Sequence, residues 1–309
     1  MSYSRGYLSQ VELLLQVLPV INKQDCFALK GGTAINLFLR DMPRLSVDID
    51  LTYLPIEPRE EFLKNITIAL GTLAKNIKQM ENAEYQVDEV FTKEPRQLSK
   101  LIVSSNLTRI IIEPNLVLRG SVFESETHDL CQTAQNDFLK YFSIKTLSFA
   151  DIYGGKICAA LARQHPRDLF DVKMLLENEG ITEKVRQAFI VYLASNSRPI
   201  HELLNPKPTL QDTRKIFEES FLGMTKIPVS YEQLIETRYQ LIEVILKSLT
   251  ANERKFLLSI KEGNPNWQLM PIEGLDKLPG LGWKKMNVTK MDAEKHKIAI
   301  EKLKTVLQL

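Results

Sequence analysis

The first residues in this chain that could do chemistry are two aspartates one residue apart in an otherwise apolar stretch. In RLSVDIDL, residues 44–51, Asp48 and Asp50 alternate with Val47, Ile49 and Leu51. Side chains at i and i+2 of a strand share a face, so both carboxylates point one way and the apolar set points the other. Two like charges about 7 Å apart at their Cα atoms repel each other, and crowding raises a pKa unless a cation intervenes. Oxygen ligands of this kind suit Mg²⁺ or Mn²⁺, bound through one or two carboxylates, water and substrate phosphates. Two such ions can clamp a phosphoryl transfer. An edge strand with a solvated face is the other reading of the same pattern.

A second feature lies upstream, where Gly31 and Gly32 of LKGGT sit at the end of a short apolar strand and the start of a helix. Paired glycines let backbone N–H groups approach a phosphate, and a helix start favours an anion. A Gly-Gly pair is equally an ordinary turn. Thr33 stands where it could cap the following helix, and Ser46 places a hydroxyl on the face of Asp48. A third feature is FADIYGGKICAALARQ, whose helical face at i, i+4 and i+7 reads Lys156, Ala160, Arg163. Two cations separated by an alanine leave room for an anion such as a triphosphate. The helix is otherwise mostly apolar, so a lysine emerging from it needs a partner.

These residues must be held by a scaffold. Residues 11–23 have helical periodicity, FALKGG reads as strand and turn, TAINLFLRD as helix, and RLSVDIDL as strand. A long amphipathic helix follows over 59–80. Residues 84–92, 97–106 and 108–118 are rich in β-branched residues and read as sheet. From about Ser148 the texture turns helical over 149–164, 166–180, 182–196, 209–222 and 230–263, punctuated by Pro166, Gly180 and Pro228. Residues 264–285 carry too many Pro and Gly for regular structure, and 291–307 close as an amphipathic helix. Pro166 suits the first position of its helix and puts Asp168 in the first turn, where a carboxylate meets the exposed N–H groups. Asp171 shares that face but lies too far in for capping.

Bulk properties narrow the class. With 309 residues, 44% apolar and 25% charged, the chain has length for about two domains with real cores. No apolar run approaches the roughly 20 residues needed to span a bilayer, and the first ten residues lack a signal-peptide core. No membrane association and a cytoplasmic address are expected. Cys26, Cys131 and Cys158 are few, scattered and set among apolar residues, which fits reduced core thiols. Net charge is +2, with 11 Lys and Arg against 7 Asp and Glu from Ala251 to the C-terminus. A basic tail beside an acidic site would suit nucleic-acid docking; a solvated lysine-rich helix explains it too.

Taken together, LKGGTAINLFL and RLSVDIDL resemble the glycine-pair helix and aspartate-pair strand of the polymerase-β-type nucleotidyltransferase superfamily. More closely they resemble the AbiEii/AbiGii toxin family of type IV toxin–antitoxin and phage-abortive systems. DIYGGKICAALARQHPRDLFDV is similar to that family's downstream signature, a lysine in a helix followed by Arg-Asp-x-x-Asp. The likeness spans roughly residues 25 to 180; beyond it the chain is a generic helical tail. It implies an α+β architecture: a polymerase-β-like nucleotidyltransferase domain with a small mixed sheet over 1–147, and a helical domain over 148–309 that completes the active-site cleft. It also implies a third acidic residue on a neighbouring strand, for which Glu113 is the candidate, as metal ligand or general base. Glu113 shares a face with Ile111 and Arg109, so parity alone leaves its direction open, and Pro114 puts it near a strand end.

The activity implied is metal-dependent transfer of NMP from an NTP to an acceptor hydroxyl. Asp48 and Asp50, with Glu113, would hold Mg²⁺ or Mn²⁺. Gly31, Gly32, Thr33 and Ser46 would cradle the triphosphate, with Lys156 and Arg163 neutralising it. Glu113 or Asp171 would act on the acceptor; the likeness places the functional carboxylate of the second block in this element, where Asp171 is favoured and Asp168 stays a candidate. The acceptor implied is RNA, a tRNA 3′ end, with a cognate antitoxin restraining the toxin. The alternatives are transfer to a small molecule or a protein, and a non-catalytic nucleotide- or RNA-binding module. His165, Trp267, Trp283 and Cys158 read more simply as structural residues, while Arg119, beside Gly120 at a strand end, could equally touch phosphate.

Overall fold

Strands with one apolar and one polar face build a mixed sheet in the first part of the chain. The structure, a computed structural model, describes residues 3–80, 85–94, 96–209 and 212–309. Parts of two segments assigned from sequence, residue 84 and residues 210–211, lie outside the described residues. The strands are β1 (Phe27–Lys30), β2 (Asp48–Tyr53), β3 (Gln86–Phe91), β4 (Leu98–Ser104), β5 (Arg109–Pro114), β6 (Glu126–Asp129) and β7 (Ser143–Thr146). Their spatial order is β3-β4-β5-β2-β1-β7-β6. The β2–β5 and β1–β7 pairs are parallel and the others antiparallel.

Register sorts the side chains. Leu29 pairs with Leu51, Ile49 with Ile112, and Val103 with Ile110, so these residues occupy one face, and all are buried. Helices α1 (Arg5–Ile21) and α3 (Arg59–Lys78) pack against β3, β4 and β5. In α3 the buried residues Phe62, Ile66, Leu70, Leu73 and Ile77 recur at three and four, the stripe a helix needs to cover a sheet. Between β1 and β2 lie α2 (Gly31–Ala34) and a π-turn over Ile35–Leu39; α4 (Gln132–Phe138) precedes β7.

The chain forms two compact units, residues 1–148 with 220–228, and residues 149–219 with 229–309. The segment 220–228 is tied to the sheet unit by its backbone. Leu45 N–H donates to Met224 O at 2.7 Å, Ser4 N–H to Gly223 O at 2.9 Å, and Arg44 forms an isolated β-bridge with Thr225.

The second unit is helical: α5 (Phe149–Arg163), α6 (Pro166–Glu177), α7 (Glu183–Ser195), α8 (Ile200–Leu204), α9 (Thr213–Ile216), α10 (Tyr231–Ser248), α11 (Ala251–Glu262), α12 (Pro279–Thr289) and α13 (Ala293–Leu307). Helix α5 packs against both α6 and α7. No helix among the described residues is long and apolar enough to cross a membrane.

Three local expectations are corrected. Thr33 does not cap: the helix starts at Gly31, Lys30 takes the N-cap position without a side-chain bond, and the Thr33 hydroxyl is used elsewhere. Residues 230–263 form two helices, broken where Thr250 and Glu253 make a reciprocal capping box. The Pro- and Gly-rich stretch is half regular, because Pro279 occupies the first turn of α12, where its missing N–H costs nothing. Strands β6 and β7 and helix α4 carry no pattern strong enough to have been assigned from sequence.

Candidate active site

The sheet places the two aspartates on its polar face. Asp50 is in register with Glu113 across the parallel β2–β5 pair and with Lys30 across the antiparallel β1–β2 pair. Directly paired residues share a face, which resolves the parity of Glu113: it lies on the side of Asp48 and Asp50. Both aspartates are half-buried and Glu113 is exposed. Pro114 ends β5, so this central strand keeps its ladder.

The glycine turn lies against that face. Gly31 adopts φ +71°, a conformation open to glycine at little cost, and a Cβ built on it would strike the Asp50 carboxylate. Gly32 has ordinary dihedrals but no room: a Cβ there would lie 2.7 Å from Arg44 Nη2 and 2.8 Å from Ser46 Oγ. The first glycine is therefore favoured by its φ and by Asp50, while a side chain at the second would have to displace the ends of Arg44 and Ser46. Thr33 Oγ1 lies 2.5 Å from the carbonyl oxygen of Asp48 and 3.1 Å from Ser46 Oγ. A hydroxyl has one proton; given to the carbonyl, it leaves Ser46 to donate to Thr33. This chain of hydroxyls fixes the start of β2 against the glycine turn.

A divalent ion fits this donor set. The three acids offer oxygen ligands, they occupy one face, and the missing Cβ of Gly31 leaves the Asp50 carboxylate its space. Among the described residues no three acidic, histidine or cysteine groups already converge as a ready-made cage. Mg²⁺ does not need one, since it keeps waters and takes substrate phosphates beside one or two carboxylates.

The helical unit holds a second cluster. Lys156 is 7% exposed, and its Nζ lies 2.9 Å from Asp168 Oδ1 and 2.9 Å from Asp171 Oδ2. Arg163 Nη2 lies 2.8 Å from Asp168 Oδ2. The i, i+3 spacing of the two aspartates on α6 turns both toward α5. Burial pushes the Asp168 carboxyl up, but Lys156 and Arg163 outweigh it and hold the group down at about 2. Asp168 lies in the first turn of α6, yet the side-chain cap there is His165, whose Nδ1 accepts from Arg167 N–H.

Of the residues read as structural, Trp267 packs on Phe256 and burial pushes the Cys158 thiol far up. Arg119, which the sequence left open, stacks on Phe62 at 4.1 Å.

Residues 12–270 match the family described as nucleotidyl transferase AbiEii toxin, type IV TA system. The chain belongs to this family. It is thus a nucleotidyltransferase toxin of a type IV toxin–antitoxin system. Its fold is similar to that of MenT4, a nucleotidyltransferase toxin from Mycobacterium tuberculosis H37Rv, with TM-score 0.61 and 14% identity over 91% of this chain and 97% of that one. At that identity the likeness shows the fold alone. No curated protein matches the chain by sequence.

Two residues of this candidate site are not singled out by the sequence. Lys30 precedes the glycine pair and stands opposite Asp50; the alternation of FALK could have given its face but not this partner. Arg44 opens the acidic stretch, is 1% exposed, and donates from Nη1 to Leu45 O at 2.8 Å. Nothing in its spacing shows that it would be buried against Gly32.

Proposed function

We propose that this toxin transfers NMP from an NTP to an acceptor hydroxyl, with an RNA, the 3′ end of a tRNA, as acceptor. The observation that carries the reading is the acidic face of the sheet, where Asp48, Asp50 and the in-register Glu113 lie on one side and a Cβ on Gly31 would strike the Asp50 carboxylate. Asp48 and Asp50 would hold Mg²⁺, which when bound supplies charge neutralisation for the phosphate oxygens. The N–H groups of Gly31 and Gly32 and the hydroxyls of Thr33 and Ser46 cradle the triphosphate. Lys156 and Arg163, already paired with Asp168 and Asp171, are the cations assigned to donate to its oxygens. The acceptor oxygen attacks the α-phosphorus, the bond to the β-phosphate oxygen breaks, and pyrophosphate leaves. The acceptor proton goes to Glu113 or Asp171. Asp168, titrating at about 2 between two cations, is too weak a base for that task and instead positions Lys156. Catalysis is mainly positioning and electrostatics.

On this reading the protein acts in the cytoplasm, blocks translation and serves in abortive infection; membership of a type IV toxin–antitoxin family supports restraint by a cognate antitoxin. The test incubates the protein and its Asp50→Ala variant with each labelled NTP and either total RNA or candidate small acceptors. Label entering RNA with wild type alone, the variant remaining folded, supports the reading. Equal labelling by both proteins overturns the site, and label entering only a small acceptor overturns the RNA assignment.

A further inference from the structure

The helical unit contains a cavity of about 890 Å³ that the acidic face and the lysine cluster do not use. Its walls come from the C-terminal end of α5, the segment leading into α8, the loop after α8 and the last helix, α13. Three cations line it from three separate elements: Arg198 before α8, Lys207 in a Pro-Lys-Pro loop, and Lys302 on α13. Glu202 is the single carboxylate among the lining residues, so the walls carry a net charge of about +2 with His201 neutral. Lys207 and Lys302 are solvent-exposed.

The loop that carries Lys207 is pinned. Gln164, buried and at φ +53°, donates from Nε2 to Lys207 O at 2.6 Å and accepts from Thr209 N–H at 3.2 Å. A loop whose backbone is fixed in this way loses little freedom on binding, although the Lys207 side chain itself stays exposed. Arg198 is likewise tethered, with Nη1 donating to Ala162 O at 2.6 Å. His201 supplies the one aromatic ring in the lining, and burial lowers its pKa, so it faces the cavity as a neutral group. Sequence-tolerant binding of unpaired bases uses aromatic shelves. This lining offers cations and amides, the groups that hold phosphate oxygens and set the register of a strand.

We propose that this cavity seats the phosphodiester backbone of a polynucleotide, and, resting on the reading above, that this polynucleotide is the acceptor. The volume is at the upper end of small-ligand sites, and charges spread over three elements suit successive phosphates better than one compact anion. The placement on α5 gives the site a purpose. Ala162, on the cavity wall, follows Lys156 by six residues on one helix, about 9 Å along the axis. Two or three stacked nucleotides, at about 3.4 Å each, span that distance.

The test measures binding of a fluorescent single-stranded RNA of about a dozen nucleotides by anisotropy, over a series of salt concentrations. Wild type is compared with the double variants Lys207→Gln/Lys302→Gln and Lys207→Arg/Lys302→Arg. Parallel arms measure ATP and inorganic phosphate. The glutamine pair should weaken RNA binding roughly tenfold and flatten the slope of log K against log salt by about 1.4, from about 0.7 for each phosphate that a lysine no longer neutralises. The arginine pair should restore both, and ATP affinity should not move. RNA affinity and slope unchanged in the glutamine pair overturns the proposal. So does a lysine-dependent loss of ATP or phosphate binding with RNA unaffected, which would make this a small-anion site. Wild type that binds RNA through these lysines but transfers no nucleotide to it upholds the cavity as a backbone site and removes the acceptor reading.

Discussion

At the scale of single residues, the acidic pair is explained by what surrounds it. Asp50 carries a carboxylate on each side of its register, Asp48 along the strand and Glu113 across it, with one lysine opposite. Such a set is stable when a cation joins it and strained when none does. The glycine beneath it is equally specific. Gly31→Ala would place a methyl against the Asp50 carboxylate at a φ that alanine avoids, so it should cost about 1–3 kcal/mol. It should also lower kcat/KM for nucleotide transfer at least tenfold; urea unfolding and the labelled-NTP assay read the two effects separately. Asp168 gives a pH signature. Its carboxyl titrates at about 2 in the fold, against about 3.9 in an unfolded chain. Because the folded value is depressed, the stabilisation is complete above about pH 4–5 and is lost as pH falls toward 2, on the order of 2 kcal/mol. Denaturant melts across that window should show the slope, and Asp168→Asn should remove most of it.

At the scale of elements, legibility followed periodicity. Helices α3, α5, α6 and α7 and the central strands have long or strongly alternating patterns and stand within a few residues of where the sequence put them, whereas α1 begins at Arg5, six residues before the stretch read as helical. Strands β6 and β7 have four residues each, and β6 is the polar ETHD, which carries no alternation to detect. Helix α12 was hidden by its glycines and by a proline that is harmless only because it falls in the first turn. In the candidate site, residue types and spacing singled out the aspartates, the glycines and Lys156, and the fold sets Gly31 against Asp50 and Lys156 against two carboxylates. Which of Asp168 and Asp171 meets Lys156 was not decidable from spacing, and the fold answers that both do. Arg44 and Lys30 were invisible as partners because their neighbours come from other elements. The capping box that separates α10 from α11 supplies a control far from any chemistry. Thr250→Ala should cost about 1 kcal/mol, lower Tm by about 2–4 °C, and leave nucleotide transfer unchanged.

At the scale of the whole molecule, the proposed metal and nucleotide should couple to stability. Anything that binds only the folded state raises Tm by mass action. Mg²⁺ with NTP should therefore raise Tm more than either alone in a thermal-shift measurement. The Asp48→Asn and Asp50→Asn variants should show little of that increment, and EDTA should abolish both the increment and the transfer. A rise with NTP that is indifferent to Mg²⁺ and to both aspartates would remove the metal from the scheme. The backbone strap of residues 220–228 has a different kind of consequence. The polypeptide leaves the sheet unit at 148, returns to it for nine residues and leaves again. That returning piece bonds to Leu45 and Thr225 bridges Arg44, on the approach to the acidic strand. A gene truncated after codon 148 would thus encode a sheet fragment lacking its own clasp. Separating the two halves calls for three scissions, so shuffling this toxin's parts by simple end-to-end fusion is barred by its own threading.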